Sequence, residues 1–98
     1  MAQEKKKGGD ATRSVSGQVV SAEGTGVGGA VVYLKNVKTV AVRSFITKAD
    51  GTYYFHELSP DLDYELRAES KGASSPVKTL SAFDTRKQAV INLKLAAK

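Results

Sequence analysis

From residue 13 onward, apolar and polar side chains alternate with a period of two along most of the chain, the signature of strands buried on one face. In the first such stretch Val15, Gly17 and Val19 share a face while Ser14, Ser16 and Gln18 share the other. A loop follows, because residues 22–29 (AEGTGVGG) carry four glycines in eight positions. Ala30, Val32 and Leu34 then alternate with Val31, Tyr33 and Lys35, and residues 37–40 (VKTV) turn the chain into a third strand over 41–48. Asp50-Gly51 reads as a tight hairpin turn, since both residues tolerate the backbone angles such turns require. Beyond it Tyr53 and Phe55 point one way, Tyr54 and His56 the other. Pro60 ends that strand, as proline cannot donate to a ladder. Tyr64, Leu66 and Ala68 alternate with Glu65, Arg67 and Glu69. After the small residues of 71–76 come a weak strand from Val77 to Leu80 and a strong one over 88–95. There Ala89, Ile91, Leu93 and Leu95 oppose Val90, Asn92 and Lys94.

Nowhere do apolar residues recur at helical spacing over a dozen positions. About six or seven short strands, with turn signals roughly every ten residues, predict an all-β antiparallel sandwich over residues 13–96. Residues 1–12 are expected to form a flexible basic tail. The aromatic density around Asp50-Gly51 is then core: Tyr53, Phe55, Tyr64 and Leu66 alternate inward from two strands expected to be neighbours. Each buried aromatic removes about 150–250 Å² from water.

Composition narrows the function classes. Ninety-eight residues make one domain, and an apolar fraction of 41% is enough to fold it. No apolar run approaches the roughly 20 residues that span a bilayer, so no membrane insertion is expected. Without cysteine there is no disulfide, thiol nucleophile or cysteine metal site. The net charge of +5 is dispersed: Lys5, Lys6 and Lys7 stand against Glu4 and Asp10, and elsewhere lysines alternate with acids. Nucleic-acid binders concentrate charge on one face with stacking aromatics, so no nucleic-acid partner is expected. The opening MAQEKKKGGD is similar to the polar basic segment that follows signal cleavage, and points to a secreted or periplasmic protein whose leader has been removed.

Two motifs together resemble the carboxypeptidase regulatory-like domain family. The first is Gly17, the glycine-rich loop ending at Gly28 and Gly29, then Ala30, Val32 and Leu34. The second is Thr47, Asp50-Gly51, the aromatics Tyr53 and Phe55, Leu58 and Pro60, and Tyr64 with Leu66. The resemblance covers about residues 14–95. It implies a seven-stranded, prealbumin-like (transthyretin-like) Greek-key sandwich, used in bacteria as a non-catalytic exported module. The family shares no active site. Adhesin repeats of similar topology carry an internal isopeptide, but the positions aligned with its lysine and carboxylate are Val19 and Ala68. Transthyretin-like hydrolases need several histidines where this chain has one.

The remaining chemistry is thin. His56 has no second histidine or cysteine, and zinc takes three or four protein ligands. Asp61 and Asp63, with Asp50, lack the spacing of an EF-hand, and turn chemistry accounts for Asp50. Ser14, Ser16 and Ser81 have no convergent base, and residues 24–29 (GTGVGG) lack the Lys-Ser/Thr ending of a phosphate loop. No catalytic residue, metal ligand or cofactor is therefore assigned. What stands out is an outward apolar set, Val20, Val31, Tyr33, Ile46, Tyr54 and Val90, with His56 beside it. Contiguous exposed apolar patches mark contacts. Tyr33, Ile46, Tyr54, His56 and Val90 are the expected partner surface, with Tyr33 and Tyr54 as its anchors. The expected partner is a protein or a second copy, and a polysaccharide bound through exposed tyrosines is the alternative.

Overall fold

The computed structural model describes residues 12–83 and 86–97, so the expected tail lies almost wholly outside the described residues. The strands are β1 (Arg13–Val20), β2 (Val31–Asn36), β3 (Val42–Ile46), β4 (Thr52–Leu58) and β5 (Tyr64–Ser70). Shorter ones follow: β6 (Ala73–Ser74), β7 (Lys78–Leu80), β8 (Gln88–Val90), β9 (Leu93–Lys94) and β10 (Ala96–Ala97). In one sheet β1 lies between β4 on one side and β8 and β9 on the other. In the second the order is β10-β6-β5-β2-β3, with β7 also beside β5. No described residue is helical. The two sheets bury a shared core between them, as the alternation predicts. Val15 and Val19, Val32 and Leu34, Tyr53 and Phe55, Tyr64 and Leu66, and Leu80, Leu93 and Leu95 all point into it. Burying each such side chain stabilises by about 1.5–3 kcal/mol relative to leaving it in water.

Three expectations are corrected. The sandwich is not wholly antiparallel: β8 and β9 run parallel to β1, with Val15 opposite Ala89 and Val19 opposite Leu93. A parallel pair needs a long crossover, and here nearly the whole domain supplies it. Asp50-Gly51 does not make a hairpin. The turn closes locally, with the Gly51 N–H donating to the Lys48 carbonyl at 2.7 Å, but β3 belongs to the second sheet and β4 to the first. For the same reason β4 and β5 are facing strands rather than neighbours.

The described residues also contain more strand segments than the expected seven, because side chains take over from backbone at two places. Between β6 and β7, Pro76 has no N–H to offer. There the Ser75 hydroxyl accepts the Ala68 N–H at 2.8 Å, and the Ser75 N–H donates to the Ala68 carbonyl. Between β8 and β9 the Ile91 N–H donates to the Ser16 carbonyl as a parallel ladder requires. The Ile91 carbonyl, however, turns away from Gln18 and accepts the Tyr53 hydroxyl. The Asn92 side-chain oxygen replaces it, accepting the Gln18 N–H at 3.0 Å. Gly17 makes this possible, since a Cβ there would lie 1.9 Å from the Ile91 oxygen. After Leu95 the chain leaves the first sheet, and Ala96 and Ala97 pair with Ser74 and Ala73 in the second.

Two outcomes follow from the Gly17–Ile91–Tyr53 arrangement. Gly17→Ala forces the carbonyl out, and overpacking of this kind costs about 3 kcal/mol, read as a lower midpoint in guanidinium unfolding. Burial pushes the Tyr53 hydroxyl well above its ordinary pKa of 10.0. The folded state therefore holds this proton more tightly than the unfolded state. The stabilisation is complete below pH 10 and is lost as pH rises beyond it. Alkaline titration should show Tyr53 ionising only together with unfolding. The Tyr53→Phe variant should lose less stability than wild type over the same range.

Candidate binding surface

Each sheet presents one outward face, and the candidate residues divide between them. On the first sheet, β1 places the small Ser16 at the centre. Ser16 pairs with Tyr54 of β4 on one side and with Val90 of β8 on the other. The register fixes one row, Tyr54–Ser16–Val90, spanning two strand spacings of about 4.8 Å each. Tyr54 is 48% exposed and Val90 59%. One pleat along β4, the His56 ring stacks on Tyr54, with centroids 5.5 Å apart and planes within 12°. The result is an open face with an aromatic wall on one side, an aliphatic one on the other, and a serine floor. Ser14 was expected on this face but is buried, its N–H donating to the Lys87 carbonyl at 2.8 Å.

Tyr33 and Ile46 lie on the outer face of the other sheet, so the structure does not bring Tyr33 together with Tyr54. Tyr33 is also partly covered. The Arg67 guanidinium sits 4.7 Å from the centre of its ring and is held by Glu69 at 2.6 Å. Beside it Lys35, Val42, Glu65 and Val77 line a recess of about 300 Å³. Ile46 lies opposite Val31 and is 59% exposed. A larger recess of about 750 Å³ runs from Gly28 and Gly29 of the glycine-rich loop to Glu69, Lys71 and Gly72.

The acidic residues weighed for calcium do not converge. The Asp50 carboxylate accepts the Thr52 hydroxyl at 2.8 Å and the Thr52 N–H at 3.1 Å, and these bonds lower its pKa. Asp63 accepts the Ala82 N–H at 2.6 Å. Among the described residues no three His, Cys, Asp or Glu side chains are grouped to hold a metal. The Ser81 hydroxyl accepts the Phe83 N–H at 3.0 Å. Val19 and Ala68, at the positions of the adhesin crosslink, are fully buried core residues.

Five further apolar side chains are exposed that the sequence does not single out: Val37, Val40, Val42, Val77 and Phe83. Val42 has the parity of Ser44 and Ile46 on the same strand, so alternation alone places it outward with them. Phe83 is 93% exposed on a loop, where no periodicity exists to orient it.

The fold is a two-sheet sandwich with open outer faces, and sequence comparison assigns its family. The sequence model of the carboxypeptidase regulatory-like domain matches residues 14–96, and the chain belongs to that family. No curated protein matches the sequence. Similar solved structures include catechol 1,2-dioxygenase from Acinetobacter sp. ADP1, at TM-score 0.66 and 12% identity over 89% of this chain and 53% of that one. A streptococcal ancillary pilin gives 0.65 and 13% over 87% and 32%. The Bacillus anthracis TIE protein gives 0.65 and 19% over 87% and 16%. The chain thus spans about half or less of each. At these identities the likeness is one of fold.

Proposed function

We propose that this chain is a non-catalytic binding module that recognises a protein partner through the outer face of its first sheet. The observation that supports this most directly is the row Tyr54–Ser16–Val90, with His56 stacked on Tyr54. A tyrosine and a valine held on a rigid sheet lose little entropy on binding, and tyrosine is among the residues that dominate contact energetics. The non-catalytic part of the reading rests on the dispersal of the titratable groups, most of whose bonds go to backbone. Export belongs to the same proposal, supported by the likeness in fold to a streptococcal ancillary pilin. So does the Greek-key reading: taking β6 with β7, and β8 to β10, as single interrupted strands reduces the segments to the seven of a prealbumin-like sandwich.

A second reading has its own support. The near-parallel Tyr54 and His56 rings form a flat platform against which the apolar face of a sugar ring can lie. The two are separated by one experiment on Tyr54→Ser/Val90→Ser, whose exposed positions leave the core intact. Affinity capture from the native envelope fraction, quantified by mass spectrometry, should yield a protein retained by wild type and reduced about tenfold or more by the double variant. Retention on polysaccharide gels should be negligible for both. A captured set identical for the two proteins removes the protein-partner reading. Tyr54-dependent retention on polysaccharide instead establishes the sugar platform.

A further inference from the structure

We infer that β3 is the docking edge for a second copy of this chain, the two copies joining their second sheets by antiparallel β3–β3 pairing about Ser44. The inference concerns a different surface from the outer face of the first sheet and does not depend on it.

The phase of the β2–β3 ladder is fixed at both ends. The Asn36 N–H donates to the Ala41 carbonyl at 2.8 Å, and the Thr47 N–H donates to the Ala30 carbonyl at 2.8 Å. Hydrogen-bonded residues alternate in an antiparallel pair. Positions 41, 43, 45 and 47 therefore turn their backbone groups toward β2, and Val42, Ser44 and Ile46 turn theirs away. Among the described residues β3 pairs with β2 alone. Its far side is thus a row of backbone donors and acceptors open to another strand.

The other long edge is guarded and this one is not. At β4, Glu57 adopts a positive φ of 59°, the register shifts between Arg13 and Val15, and the His56 carbonyl accepts the Arg43 guanidinium at 3.3 Å. Bulges and charges are the usual devices that stop an edge from recruiting a strand. In β3 there is no proline, lysine or bulge. Its one charge, Arg43, is exposed but already engaged, with its guanidinium 5.7 Å from the centre of the Phe55 ring and donating to the His56 carbonyl. What the edge shows instead is Val42 at 57% and Ile46 at 59% exposure.

The sequence Val42-Arg43-Ser44-Phe45-Ile46 is self-complementary about its centre. In an antiparallel pair with the two-fold axis at Ser44, Val42 meets Ile46 of the second copy, Ser44 meets Ser44, and Ile46 meets Val42. All three are the positions whose backbone groups point outward, and each such pair exchanges two hydrogen bonds. The two Val–Ile contacts fall on one face of the joined sheet, covering apolar surface that is open in the single chain. Arg43 comes opposite Phe45 on the inner face. Hydrogen-bond phase, apolar pairing and symmetry agree on one register, which is what an isologous contact requires.

The test is the solution mass of the full chain over about 1 µM to 1 mM, the range of weak contacts. Wild type should approach twice the monomer mass as concentration rises. In the Val42→Lys/Ile46→Lys variant, lysines face each other at both ends of the pairing, and the dissociation constant should rise at least about tenfold. In Val42→Glu/Ile46→Lys each glutamate faces a lysine of the other copy, and dimerisation should persist. Both variants alter exposed positions, and circular dichroism confirms that each is folded. Amide exchange at Val42, Ser44 and Ile46 should slow with wild-type concentration. A wild type that stays monomeric throughout, or dimers indifferent to both charge variants, overturns the inference.

Discussion

The fold depends on a close backbone approach where the chain passes from one sheet to the other. The Thr47 hydroxyl accepts the Ala30 N–H at 2.9 Å and donates to the Val27 carbonyl at 2.7 Å, so a single buried side chain ties the crossing to the glycine-rich loop. Four residues on, Gly51 has a φ of +89°, and a Cβ there would stand 2.5 Å from the Val19 carbonyl and 2.7 Å from the Val27 nitrogen. The Gly51 carbonyl in turn accepts the Val19 N–H. The end of β1, the loop and the crossing thus meet backbone to backbone. That contact sets the separation of the sheets at one end, and it aims β4 so that Tyr53 and Phe55 enter the core while Tyr54 and His56 leave it.

The same logic explains where the polar side chains have gone. At several strand breaks a side chain supplies a backbone partner: Ser75 for β5, Asn92 for β1, Asp50 at the crossing, Asp63 beside Ala82. The Tyr64 hydroxyl accepts the Ser59 N–H at 2.9 Å, fixing the turn that follows β4. A buried backbone group left without a partner costs about 1–3 kcal/mol, which makes the buried bond from the Ala68 N–H to Ser75 the most consequential of these. The side chains engaged in this way lie apart from one another, at separate ends and breaks of the strands.

Alternation made most of the fold legible from the sequence. The inward members of β1, β2, β4 and β5 and the outward Tyr54, His56 and Val90 are where the period of two puts them. What it left hidden were relations between strands. A turn signal at Asp50-Gly51 reports local backbone angles and says nothing of which sheet each flanking strand joins, so a crossing looks like a hairpin. The parallel pairing of β1 with β8 is equally silent, because parallel and antiparallel neighbours share the same periodicity. Arg13 shows another limit. It is a charged residue at a strand start, yet it is 4% exposed, and its guanidinium donates to the Ser81 and Leu62 carbonyls at 2.7 Å each. Only tertiary placement of two distant loops makes that burial possible. The separation of Tyr33 from Tyr54 has the same origin: parity identifies outward residues, and topology alone decides which outside they share.

The two outer surfaces consequently differ in kind. On the second sheet the central positions hold Lys35, Glu65, Arg67 and Glu69, and its aromatic member, Tyr33, lies under a guanidinium that is itself paired. Arg67 and Glu69 pair with each other there, and the open backbone lies at the margin, in β3. On the first sheet the centre is Ser16 and the apolar groups stand on the flanking strands, so the open groups lie on the face. A sandwich closed by inter-sheet contacts such as Phe45 against Phe55, at 6.0 Å and edge-on, keeps these two surfaces rigid with respect to each other. Contact by backbone at one sheet's edge and contact by side chain on the other sheet's face do not compete for the same residues. The proposed docking of a second copy at β3 and that of a partner on the first sheet's face are therefore sterically independent.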